Sequence, residues 1–148
     1  MQDKHVCWID DTYCKECGSN MAQVFEYEDV VLALKRIVAE KGEDYVYKKV
    51  ITGHDSRCVY FDKEKGQPSC LVGHFMYQEG LLTSAEQFDP FEDDNAAQMV
   101  RSLVEGGKAY FGQRSEMLLN LVQAQQDSGH TWGNSLEYAI ERVEMRFN

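Results

Sequence analysis

The sequence predicts a single α+β domain, dominated by helices and carrying a short antiparallel β-hairpin. Three observations lead there. Apolar residues recur at helical spacing in about five separate stretches. Only two neighbouring segments alternate like strands, with turn-forming residues between them. The length, 148 residues, suits one core, and no linker, repeat or low-complexity tract divides it. The expected organisation is an irregular cysteine-rich segment over 1–25 and one helical α+β domain over 26–148.

The first regular element is a helix over 27–41. Val30, Val31, Leu34, Ile37 and Val38 make its apolar stripe. Glu28 and Asp29 suit the positive end of the helix dipole, and Lys41 followed by Gly42 suits its close. Tyr45 to Val50 and Arg57 to Phe61 then alternate around Thr52–Ser56, which predicts the hairpin. A lone hairpin is marginal in water, so this one must pack on helices. Proline fits the first helical position, so a helix is expected to open at Pro68 and run to Gly80. It is apolar nearly all round, which marks it as the buried central helix.

Thr83-Ser84-Ala85-Glu86 has the spacing of a capping box and opens a short helical turn that Pro90 ends. Asp93, Asp94 and Asn95 lead into a helix through Glu105, stopped by Gly106 and Gly107. Ala109–Phe111 reads as a third strand. A helix over 114–126 carries Met117, Leu118, Leu121 and Val122. Thr131 is the expected N-cap of a last helix with Trp132, Leu136, Ala139, Ile140, Val143 and Phe147 on one side. The short link Ser128-Gly129-His130 should join these two helices as an antiparallel pair.

Net charge is −10, distributed as −5 over residues 1–30, +2 over 31–65 and −7 over 66–148. Phosphate-backbone binding relies on Lys and Arg displacing counterions, so nucleic acid is not an expected partner. Lys35, Arg36, Lys48, Lys49 and Arg57 form the one local basic group. The plain reading of the acidity is solubility. The sharper one is a surface for a basic partner. No apolar run approaches the roughly 18 to 20 residues that span a bilayer. Met1–Asp11 does not have the pattern of a secretory signal, so a cytoplasmic protein is expected.

Five cysteines, an odd number, favour reduced thiols or metal ligands over a disulfide framework. Cys14-Lys15-Glu16-Cys17-Gly18 has the spacing by which two thiolates reach one zinc ion. His5 and Cys7 nearby, or Cys58, Cys70 and His74 in the body of the domain, could complete that site, with plain thiols as the competing reading. Cys70 and His74 lie four apart and share a helix face. They suit an activated thiol, but a core cysteine and a hydrogen-bonded histidine explain them more simply. In Asp89-Pro90-Phe91-Glu92-Asp93-Asp94-Asn95 the acids suit helix capping. Phe88 and Phe91 flanked by Glu92, Asp93 and Asp94 would also suit protein docking. No phosphate loop, dinucleotide fingerprint, nucleophile elbow or H-E-x-x-H is present.

Cys58-Val59-Tyr60, leading to Gly66-Gln67-Pro68-Ser69-Cys70-Leu71-Val72-Gly73-His74, resembles a segment of small uncharacterised proteins of actinobacterial phages and prophages. Gln126-Asp127-Ser128-Gly129 followed by Thr131-Trp132-Gly133 resembles a second segment near their C-termini. The resemblance covers residues 27–145 and leaves Cys7, Cys14 and Cys17 unexplained. It brings no activity, only a phage setting and therefore the host cytoplasm. The expected function is a non-enzymatic phage-encoded interaction protein that binds and modulates a host component, in takeover or anti-defence, through Phe88, Phe91, Glu92, Asp93 and Asp94. Three alternatives stay open. One is a zinc-binding regulatory protein using His5, Cys7, Cys14 and Cys17. Another is a sponge for a small signalling molecule, its phosphate held by Arg57, Arg101 or Arg114. The last is an enzyme using Cys70 and His74. An open hairpin edge and an apolar C-terminal helix also make a homodimer an expectation.

Overall fold

Helical periodicity supplies the frame, and short strands fill the corners between the helices. The computed structural model describes residues 13–14, 19–20, 23–47, 50–52, 55–57 and 59–147. Two short strands, β1 (Tyr13–Cys14) and β2 (Ser19–Asn20), pair antiparallel. β3 (Gln23–Phe25) follows, so the segment read as irregular to residue 25 contains strands, and its last three residues belong to the body. Phe25 is a core residue.

α1 (Tyr27–Lys41) buries Val30, Leu34, Ile37 and Val38 of the expected stripe; Ala33 joins them, and Val31 is only partly buried. The Glu26 N–H donates to the Asp29 carboxylate at 3.4 Å, which occupies one of the donors at the helix start. Gly42, at φ 101°, turns the chain out of the helix, a conformation that glycine adopts without steric cost.

The hairpin forms one step later than its alternation suggests. Its ladder joins β4 (Val50–Thr52) to β5 (Asp55–Arg57), with Val50 opposite Arg57. Tyr45–Tyr47 forms no ladder with it, because other groups claim that backbone. The Trp132 N–H donates to the Tyr45 carbonyl at 2.8 Å and the Gly133 N–H to the Glu43 carbonyl at 2.9 Å. Val46 makes a single bridge to Thr131. Tyr47 turns inward, and its hydroxyl accepts the Val59 N–H at 2.9 Å.

β6 (Phe61–Asp62) pairs antiparallel with β7 (Gln67–Pro68). Pro68 is therefore a strand residue and not the first residue of a helix. A proline is tolerated in a two-stranded edge because its missing N–H is not called on by the ladder. The Ser69 N–H then donates to the Tyr60 carbonyl at 2.9 Å, which keeps the chain extended for one more residue. α2 (Leu71–Gln78) starts after it, with Cys70 as N-cap, the thiol accepting the Gly73 N–H at 3.3 Å. Leu71, Val72, Phe75 and Met76 are all fully buried, so α2 is indeed the central helix.

α3 (Ala85–Phe88) is one turn, capped by Ser84, whose hydroxyl accepts the Gln87 N–H. α3 ends at Phe88, and Pro90 lies inside the 3-10 turn Asp89–Phe91 that follows it. α4 (Ala96–Glu105) begins with a reciprocal capping box between Asn95 and Gln98, each bond 2.8 Å. β8 (Ala109–Phe111) is the strand expected, and its partner is β3, in parallel, with Phe25 opposite Phe111. Their rings stack 4.8 Å apart. α5 (Gln113–Asp127) and α6 (Trp132–Phe147) form the most extensively packed helix pair, and the Thr131 hydroxyl caps α6 by accepting the Asn134 N–H at 3.1 Å. The result is a helix-dominated α+β single domain around α2. Among the described residues no helix is long and apolar enough to cross a membrane.

Candidate functional site

The acidic turn expected to dock a partner is largely structural. Phe88 is fully buried, with its ring stacked on Phe61 at 5.2 Å. This corrects its assignment as an exposed docking residue: the single turn of α3 points it into the core. Phe91 is half-buried and packs against the same core. Glu92 reaches back to the start of β6, where its two carboxylate oxygens accept the N–H groups of Tyr60 (2.8 Å) and Phe61 (3.3 Å). Burial raises its pKa, and these two hydrogen bonds oppose the rise. The Asp94 carbonyl accepts the Tyr60 hydroxyl at 2.6 Å.

What remains of the segment borders a cleft of about 440 Å³ between the Tyr60 turn and the C-terminal half of α5. Glu92, Asp93, Asp94 and Asp127 line it together with Asn120 and Gln123. Glu92, Asp93 and Asp94 thus stay together, while the two phenylalanines face elsewhere.

Cys70 and His74 are close but not coupled as base and nucleophile. His74 Nδ1 donates to the Cys70 carbonyl at 2.9 Å, and its ring lies edge-on to Trp132 at 5.4 Å. The thiol is fully buried, and burial pushes its pKa far up. A thiol held protonated is a poor nucleophile, and its visible task is to cap α2. Of the proposed zinc ligands, His5, Cys7 and Cys17 lie outside the described residues, and only the backbone of Cys14 is described. Among the described residues no group of three or more His, Cys, Asp or Glu could hold a metal ion. Arg101, offered for phosphate, is engaged by Glu116 through Nε (3.1 Å) and a terminal nitrogen (2.9 Å). Arg114 lies over the rings of Tyr27 and Phe147, and the Arg57 side chain is outside the described residues.

A larger depression, about 610 Å³, runs between α1 and α6. Val38, Leu136 and Ile140 give it an apolar floor. Glu43, Asp44, Glu137, Glu141 and Glu144 stand around it, with Lys35 the single basic residue among the described residues of its lining. Glu137, Glu141 and Glu144 follow one another at helical spacing along an exposed strip of α6. One end of the groove is closed by a tight approach of backbone. A Cβ on Gly133 would come within 2.8 Å of the Glu43 carbonyl oxygen. No protein family, curated protein or solved structure matches this chain. The groove was readable in principle from acids 137, 141 and 144 beside the apolar stripe of the last helix. The denser acidic run at 89–94 is the stronger signal in sequence, and it leads to the smaller site.

Proposed function

We propose that the protein is a non-enzymatic interaction protein that docks a basic, amphipathic segment of a partner protein in the groove between α1 and α6. The observation that carries this reading is the pairing of an apolar floor with five carboxylates against one lysine. An amphipathic helix binds by laying its apolar side on such a floor. Opposite charge on the rim steers the approach and sets the orientation. The resemblance to phage proteins supports a partner in the host cell, whose activity the bound protein would modulate.

The test is calorimetric titration of the full chain with an amphipathic helical peptide of leucine and lysine. Binding is expected, and raising the salt concentration should weaken it, because the rim charges are exposed. The double reversal Glu137→Lys with Glu141→Lys should weaken it by about tenfold or more, the scale of two lost charge contacts. A peptide of the same pattern with glutamate in place of lysine should not bind. Equal affinity for both peptides, or for the reversed protein, would overturn the reading.

A further inference from the structure

We infer that the cleft between the Tyr60 turn and α5 is a second binding site, specific for a cationic nitrogen group with several N–H donors, a guanidinium or a primary ammonium. Two independent observations meet there. The first is charge. Glu92, Asp93, Asp94 and Asp127 border the cleft, and among the described residues that line it none is basic. Burial raises the pKa of the Tyr60 hydroxyl, and the Cys70 thiol, Asp127, Glu92 and Asp94 add to the rise.

The second is an unanswered acceptor. Gln123 lines the cleft, yet it is only 7% exposed. Among the described residues its Oε1 has no hydrogen-bond partner. A buried carbonyl oxygen without a donor is costly, and native proteins rarely leave one so. An arriving N–H donor would answer it, and a positive charge on that donor would be matched by the carboxylates.

Neighbouring groups define what fits. The Asn120 side-chain oxygen already takes the Ala97 N–H at 3.2 Å, and the Gln126 amide already donates to Asp127 Oδ1 at 2.8 Å. Asn120 and Gln126 are therefore already engaged within the protein, whereas the Gln123 oxygen is not. A planar guanidinium, with donors on several edges, can reach Gln123 Oε1 and a carboxylate at once. The volume of about 440 Å³ admits a small molecule or one side chain, not a helix.

The experiment is calorimetric titration of the full chain with methylguanidinium, and with methylurea as its uncharged counterpart. Methylguanidinium should bind and methylurea should not. Gln123→Leu keeps the bulk of the buried side chain and removes the acceptor, and Asp127→Asn removes a charge from the rim. Each should weaken methylguanidinium by about tenfold, with the thermal midpoint checked to show that the variant is folded. The double reversal at Glu137 and Glu141 should leave this affinity unchanged, which separates the cleft from the groove. Agmatine and a neutral peptide with one arginine then distinguish a free small molecule from a side chain of a partner. Equal binding of methylurea, no binding of methylguanidinium, or full affinity in both cleft variants would overturn the inference.

Discussion

At Gln126 a single side chain joins two distant parts of the chain. Its Oε1 accepts the Leu71 N–H at 2.8 Å in a buried setting, 55 residues away in sequence. Leu71 opens α2, so its N–H has no partner inside the helix. Gln126→Leu should cost about 1–3 kcal/mol in urea denaturation, the penalty for a buried donor left unpaired. Gly73 gives a second residue-scale prediction. A Cβ there would overlap the Tyr60 carbonyl, so Gly73→Ala should cost about 1–3 kcal/mol. Gly112→Ala, where nothing lies within 4 Å of the added carbon, should be nearly neutral by the same measurement. Gln126 and Gly73 are both plain in the sequence, but the reason for either is not. Nothing in a linear sequence says that a carbonyl from residue 60 will press on residue 73.

His74 and Glu92 make opposite contributions to acid stability. Burial lowers the pKa of His74 below its ordinary 6.5, against the pull of the Cys70 carbonyl. The unfolded chain takes up that proton first, so the contribution is full above pH 6.5 and is lost as pH falls through the lowered value. Burial raises Glu92 above its ordinary 4.5, so its contribution is full below pH 4.5 and is lost as pH rises through the raised value. Thermal midpoints measured against pH should show His74→Gln flattening the first slope and Glu92→Gln flattening the second. Unchanged profiles in both variants would contradict the assigned burial.

Among the elements, legibility followed length. α1, α4, α5 and α6 are long enough for their apolar period to show, although α5 turns Leu119, Gln123 and Gln126 inward and leaves Met117 and Leu121 of its expected stripe only partly buried. Ala109–Phe111 was readable as a strand, but a three-residue strand does not name its partner. That partner, β3, sits in a segment with no period of its own. The hairpin was displaced because α6 takes the carbonyls of Glu43 and Tyr45. Pro68 was ambiguous between helix start and strand edge, and the hydrogen bond from Ser69 to Tyr60 decided it. The site followed the same rule. The charges at 92–94 were plain, whereas the one-turn α3 is too short to show which way Phe88 faces. The β3–β8 pair gives the prediction at this scale. Phe25 stacks on Phe111 and meets Phe75 edge-on at 5.6 Å. Phe25→Ala should cost about 3–5 kcal/mol in the same denaturation assay. A loss below 1 kcal/mol would mean that the residues before α1 are not part of the core.

Over the whole molecule, acidic side chains gather at two depressions, five at the groove and four at the cleft. The groove sets its charge around Val38, Leu136 and Ile140. The cleft sets its charge beside a buried acceptor, with Tyr60 and Ala124 as its apolar lining. Their responses to salt should differ accordingly. Peptide binding in the groove should retain an apolar component at high ionic strength, while guanidinium binding in the cleft should fade with screening.

The bond from Leu71 to Gln126 also has a consequence in time. The ring contact between His74 and Trp132 ties α2 to the start of α6 as well. During synthesis α2 emerges well before either partner, with its first N–H unanswered and its apolar surface uncovered. It cannot be locked until the end of α5 has left the ribosome. The domain should therefore reach its native state late and nearly all at once, and a chain stalled before residue 126 would present its most hydrophobic helix to chaperones and proteases.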